Sequence, residues 1–182
     1  FTFNYDKDTT KSTVIVPMEL HNEKRRIELD VNKVDKDHHD HFLNGAIFEV
    51  YDKTTKSHVT TLASGQLMIV GNDVYEISKD EDFTKIIKTV KTDENKQIIL
   101  DMDDGTYYSR KVGDDKVSKH VIKDGKAVLS DAIYGHEYEF KEIKAPTSYQ
   151  LADKSKAYKV EADKDTDTII YYFENARIVV PN

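Results

Sequence analysis

The chain has 182 residues, 34% of them charged and 38% hydrophobic, with a formal net charge of -7 and no cysteine. That length suits one ordinary domain carrying an insertion or a piece of a neighbour, and the missing cysteine excludes disulfides, thiolate metal sites, cysteine nucleophiles and thioesters. The acidic balance, with no sustained basic run, argues against nucleic acid, and no apolar stretch approaches the roughly 20 residues that span a bilayer, so no membrane contact is expected of this fragment.

The start FTFNYDKD lacks the charged-then-apolar order of a signal peptide, and the chain reads as soluble and as cut from something longer. Residues 6–27, DKDTTKSTVIVPMELHNEKRRI, resemble residues 163–178, DKDTDTIIYYFENARI, with Asn22 opposite Asn175. Val14, Val16, Met18, Leu20 and Asn22 share one strand face. Residues 1–26 are therefore expected to be the terminal strands of a preceding module in a tandem array, or else an N-terminal extension packed on this domain. Asn22 would then be a bond residue of that preceding module, and the domain proper would occupy residues 27–182.

Its first predicted strand, Ile27 to Asp35, sends Ile27, Leu29, Val31 and Lys33 to one face and Glu28, Asp30 and Asn32 to the other. A lysine thus ends an apolar row. The segment DKDHHDH reads as a polar turn, and Ala46 to Tyr51 as a second strand after a bend at Asn44 and Gly45.

The middle, about residues 60–130, is too long for a simple loop and is expected to be an inserted, mostly-β subdomain. GQLMIV and KQIIL look like strands, while Ser78 and Glu81 could cap a short helix bearing Phe83, Ile86, Ile87 and Val90. The same residues also fit a helical turn followed by a strand. The segment TDENKQIILDMDDGTYYSRKV resembles KDGKAVLSDAIYGHEYEFKEI, and with the two glycines aligned Val112 falls opposite Glu142.

Towards the end Tyr138, Phe140 and Glu142 share one face, and Ile169, Tyr171, Phe173 and Asn175 share another. Period-2 logic in three separate strands therefore points one Lys, one Glu and one Asn into the interior that their apolar neighbours define. By the same parity Lys36 and Glu139 face away.

The segments VNKVDKD (31–37), LNGAIFEVYD (43–52), YEFKEIKAP (138–146) and YYFENARI (171–178) resemble the Cna protein B-type family of Gram-positive pilins and collagen-adhesin stalks. The resemblance covers both ends of the domain but not the insertion. It implies an all-β, reversed immunoglobulin-like (prealbumin-like) β-sandwich and a structural role. It further implies that Lys33 and Asn175 are the partners of an intramolecular isopeptide bond, with Glu142 as the catalytic carboxyl. Neither a lysine in a Tyr-Pro-Lys setting nor an LPxTG-like signal occurs in these residues.

The chemistry needs those groups to be dry. A solvated lysine, with a pKa near 10.4, is protonated at neutral pH and cannot attack; burial favours both the neutral amine and the neutral acid. Lys33 could then attack the Asn175 side-chain carbon while a protonated Glu142 hydrogen-bonds the amide oxygen and relays protons to departing ammonia. The alternative is an unreacted buried ion pair with Asn175 hydrogen-bonded alongside.

Two metal-like clusters carry less. Asp37, His38, His39, Asp40 and His41 lack an orienting scaffold, and DKDTDT from Asp163 starts like a calcium loop but has Thr168 where glycine is required. No metal and no cofactor is expected. No serine, histidine and acid arrangement points to a turnover enzyme. The expected function is a stalk or adhesin module of a cell-wall-anchored extracellular protein, with neighbouring tandem modules as partners; a second reading has the insertion bind a host matrix protein or glycan.

Overall fold

The computed structural model describes residues 24–180 of the chain, so Asn22 and most of the 1–26 segment lie outside the described residues. Fourteen strands follow one another: β1 (Arg26–Asp35), β2 (His38–Phe42), β3 (Ile47–Asp52), β4 (Ser57–Ala63), β5 (Leu67–Val70), β6 (Val74–Ser78), β7 (Ile86–Lys91), β8 (Gln97–Leu100), β9 (Gly105–Lys111), β10 (Ser118–Ile122), β11 (Lys126–Ile133), β12 (Glu137–Lys144), β13 (Lys156–Lys159) and β14 (Thr168–Asn175). There is no helix among the described residues.

Two sheets face each other as a sandwich. In one, β1 lies between β11 and β14, with β2 taking over the β11 edge of β1 at Val34 and Asp35; the other runs β13-β12-β3-β4. The first strand pairs with the last in parallel, Lys33 opposite Phe173 and Asp35 opposite Asn175. Alternation along each strand fills the space between the sheets with Ile27, Leu29, Val31, Phe48, Val50, Ala127, Leu129, Tyr138, Phe140, Tyr158 and Phe173. Phe48 meets Phe140 and Phe173 edge-on at centroid distances of 5.7 and 4.9 Å, a geometry aromatic quadrupoles favour.

β1 is covered on both faces. Asp30 and Asn32 were expected on the polar side, yet they are only 2% and 4% exposed. Lys123 donates to Glu28 at 2.5 Å and Asp30 at 3.0 Å, and Lys126 donates to Asn32 at 2.6 Å. Burial and the neighbouring Glu28 push Asp30 up to about 6. Gly125, with φ of +69°, turns the chain into β11 where a Cβ would lie 2.2 Å from the Cβ of Phe42, so no side chain fits there.

The DKDHHDH segment is less turn and more strand. Only Lys36 and Asp37 turn; His38–Phe42 forms an exposed edge strand back along β1. Among the described residues no three His, Asp or Glu converge as metal ligands. In the DKDTDT loop the Arg25 guanidinium donates to the carbonyls of Asp163, at 2.7 Å, and Thr166, filling the loop mouth with a protein cation.

Between β4 and β11 the strands pair only among themselves, as a β5-β8 ribbon and a sheet in the order β10-β9-β6-β7. They enclose their own core of Leu67, Ile69, Ile77, Tyr107 and Ile122. A small cluster of Ile47, Ala63 and Met68 joins it to the sandwich. The helix expected after Ser78 is absent: Ser78 Oγ bonds Asp80 and the Lys85 carbonyl, forming a turn, and Ile86–Lys91 continues as a strand paired with β6. Sheet pairing overrides the helical spacing of Phe83, Ile86, Ile87 and Val90. Both copies of the half-repeat cross between sheets, β8 to β9 in the insertion and β11 to β12 in the sandwich.

Within the insertion Ser109 and His120 share a 2.7 Å hydrogen bond, and burial holds the imidazole down at about 4. A histidine depressed in the folded state stabilises it above the ordinary pKa near 6.5, and that contribution is lost as pH falls towards about 4. Thermal melts of wild type and His120→Gln should therefore diverge on acidification below pH 6.5, wild type losing more stability. Parallel curves would show that this ring is not the sensitive group.

Candidate functional site

Lys33, Glu142 and Asn175 are carried by β1, β12 and β14 and meet inside the sandwich, 0%, 4% and 2% exposed. Lys36 is exposed, and Glu139 is tied to the Ser155 hydroxyl at 2.8 Å on the outer face. Lys33 ends the row Ile27, Leu29, Val31, so its stem is packed apolar surface and its amine reaches the ring of Phe173, 5.3 Å from the centroid. The amine donates to the Phe173 carbonyl at 2.9 Å and takes part in none of the ion pairs among the described residues.

The Asn175 amide nitrogen donates twice, to Glu142 Oε1 and to the Gln150 carbonyl, each at 2.7 Å. The Ala152 N–H donates to the same Glu142 oxygen at 2.9 Å. Both amide hydrogens are thus used, which fixes the plane of the carboxamide. Glu142 Oε2 and Asn175 Oδ1 have no partner. The sequence reading put the acid on the amide oxygen; here it faces the amide nitrogen, because Gln150 offers a carbonyl that only an N–H can satisfy.

Burial governs both ionisable groups. Desolvation brings Lys33 down to about 8, and desolvation also raises Glu142 above the ordinary carboxylate range, against the opposing bonds from Ala152 and Asn175. Both shifts run towards the neutral forms that a nucleophilic amine and a proton-relaying acid require.

Sequence reasoning missed the segment that closes the site. Residues 145–152 follow β12, and their backbone supplies Gln150 O and Ala152 N–H. Tyr149 in this segment donates from its hydroxyl to Asp35 at 2.6 Å, and Arg177 donates to the same carboxylate at 3.0 Å. The available signal was parity: Asp35 continues the inward row of Ile27 to Lys33, a second buried polar group needing partners.

The sequence matches the family described as SpaA, prealbumin-like fold domain, over residues 27–177. The chain belongs to this family. Similar solved structures include the minor pilin of Streptococcus agalactiae, with 22% identity over 87% of this chain and 48% of that one and a TM-score of 0.42. The group B streptococcus pilus 2b backbone protein has 17% identity, with 84% and 42% covered and a TM-score of 0.41. The full-length major pilin SpaD from Corynebacterium diphtheriae has 17% identity, with 86% and 32% covered and a TM-score of 0.38. This chain therefore spans less than half the length of each of these proteins. No curated protein matches the sequence. The prealbumin-like assignment agrees with the all-β sandwich, and it rests on the family match, since at these scores the solved structures add no argument about the site.

With Asn175→Ala the carboxamide is gone and Lys33 must remain an amine. Its titration, followed by NMR at Cε, should then have a midpoint near 8 while surface lysines stay near 10.4. A depressed folded pKa also means that this variant gains stability as pH rises from about 8 towards 10.4. A Lys33 midpoint equal to that of the surface lysines would contradict a dry site.

Proposed function

We propose that this domain is a structural stalk module of a Gram-positive surface or pilus protein, locked by one isopeptide bond between Lys33 and Asn175 that Glu142 promotes. The observation that carries it is the burial of these three groups together on the first strand, the last strand and β12. Family membership supports the same reading.

In the reaction the neutral Lys33 amine attacks Cγ of Asn175, the C–N bond to the amide nitrogen breaks, and that nitrogen leaves as ammonia. One proton lost by the amine balances the one gained by the leaving nitrogen. Glu142, whose Oε1 lies 2.7 Å from that nitrogen, is placed to pass it across. Folding supplies proximity, and the product is a neutral amide in place of an amine that is costly to keep buried, with Glu142 unchanged at the end.

The pairing of β1 with β14 gives the bond a mechanical meaning. Tension entering at the start of β1 runs to Lys33, crosses to Asn175 and leaves, so the covalent bridge bears it and the hydrogen-bond ladder does not. Neighbouring modules of the same polypeptide are the partners this implies, outside the cell and held to its wall.

A second, compatible reading has the insertion recognise a host matrix protein or glycan. What favours it is a groove of about 540 Å³ between sandwich and insertion, with Val59 and Val70, 42% and 57% exposed, on its walls.

Intact mass decides the first reading. Wild type should be lighter than its formula by one ammonia molecule, and Glu142→Ala should match its formula. The unlinked variant should also lose stability, by roughly 4–5 kcal/mol on the chain-entropy account of a cross-link closing most of the domain. A wild-type mass equal to the formula would refute the bond.

A further inference from the structure

The groups around Asn175 are held by a strap that is tied to the segment after β14 by backbone hydrogen bonds and to β1 through the Tyr149 side chain. Residues 145–152 leave β12 and cross the mouth of the site, with Gln150 N–H donating to the Ala176 carbonyl at 2.8 Å and Ile178 N–H donating to the Ser148 carbonyl at 3.0 Å. On the inner side the strap presents the Gln150 carbonyl to the Asn175 nitrogen and the Ala152 N–H to Glu142. Outside it lies an open cleft of about 410 Å³ whose walls include Gln150, Ala152, Lys156 and Asn175. The leaving nitrogen therefore sits on the boundary between dry core and solvent.

One buried carboxylate adds a side-chain tie between the strap and β1. Asp35, 1% exposed, accepts from the Tyr149 hydroxyl at 2.6 Å, from Arg177 Nε at 3.0 Å and from the Asp37 N–H at 2.8 Å. The Arg177 guanidinium lies 5.5 Å from the Tyr149 ring centroid, over its face. Asp35 is also the residue of β1 that pairs with Asn175 of β14. The same carboxylate thus touches the strand carrying the amine, the strap that orients the amide, and the segment that follows the amide.

We propose that Asp35, Tyr149 and Arg177 form a latch that positions the strap, and through it the Asn175 carboxamide and the Glu142 carboxyl, for cross-linking. This rests on the isopeptide reading above. None of the three touches the reacting atoms; they are positioning residues. Their chemical contribution is geometric: Gln150 O and Glu142 Oε1 take both hydrogens of the amide, which turns the carbonyl carbon to a fixed aspect and leaves Oδ1 free of partners. A strap displaced by about 1 Å surrenders that alignment, a loss that commonly costs a large factor in rate. The deprotonated state of Asp35 is secured first by the Tyr149 hydroxyl and next by the Asp37 N–H, which hold its carboxyl well below the usual range. The latch is thus in place across the neutral range.

The test is a pulse of isotopically labelled lysine during synthesis of the full chain, followed by intact mass over time, with protease resistance of the same samples reporting folding. Tyr149→Phe keeps the ring and removes only the hydroxyl. It should slow ammonia loss by about tenfold or more while resistance to protease develops at the wild-type rate. Asp35→Leu should slow it similarly, whereas Asp35→Asn, which can still accept from Tyr149, should stay within about threefold of wild type. Should either buried variant fail to fold, Arg177→Ala changes a side chain that is 59% exposed and should slow the loss by about threefold. Wild-type kinetics in both Tyr149→Phe and Arg177→Ala would overturn the latch and leave the isopeptide reading intact. No ammonia loss in wild type would remove both.

Discussion

Dehydration of a lysine amine is the constraint on which the rest of the structure depends. A flexible, strongly hydrated ammonium is among the groups least often found fully buried, yet Lys33 is 0% exposed at the end of an apolar row. The fold accommodates it with the Phe173 carbonyl as acceptor and the Phe173 ring 5.3 Å from the amine. Nothing in this arrangement satisfies a permanent cation well. The nearby acid is also desolvated, and one of its oxygens and the amide oxygen go without partners. Joining Lys33 to Asn175 would replace the buried amine and the carboxamide with one neutral amide beside an unchanged Glu142, and the removal of the buried amine favours the proposed chemistry.

The same constraint explains why β1 is walled on both faces. If water reached the backbone around Lys33 from the outer side, the inner side would not stay dry. Lys123 and Lys126 reach across that side, their amines bonded to Glu28, Asp30 and Asn32. Asp35 closes the end of the strand, with the Tyr149 hydroxyl and Arg177 as its caps. Two polar networks, one outside and one at the end, thus protect a third that sits between the sheets.

How much of this the sequence disclosed follows from what period-2 patterning can report. Parity alone put Lys33, Glu142 and Asn175 on inward faces, because one face of each strand was defined by aromatic and aliphatic neighbours. Parity could not say that the outward face of β1 would also be covered, since that depends on Lys123 and Lys126, more than ninety residues away in the chain. It could not reveal that Glu142 meets the nitrogen of the carboxamide, because the Gln150 carbonyl that decides the orientation belongs to irregular backbone with no periodic signature. Helical spacing after Ser78 misled for a related reason: with Ile86, Ile87 and Val90 partly exposed, the pairing of β7 with β6 outweighs the apolar spacing.

If Lys33 and Asn175 are joined as proposed, the placement of the insertion follows from the load path. Residues 34–174 lie within the loop that a Lys33 to Asn175 bond would close, so with that bond tension applied to the ends would not pass through β5 to β10. β1, which carries Lys33 on that path, is paired along one edge with β11 and along the other with β14. Strands off the path need only be stable at rest, which a small separate core around Leu67, Ile77 and Tyr107 can provide. A large insertion is thus tolerated between β4 and β11, where it adds surface without adding a weak link, whereas the same residues placed before Lys33 or after Asn175 would lie in series with the load.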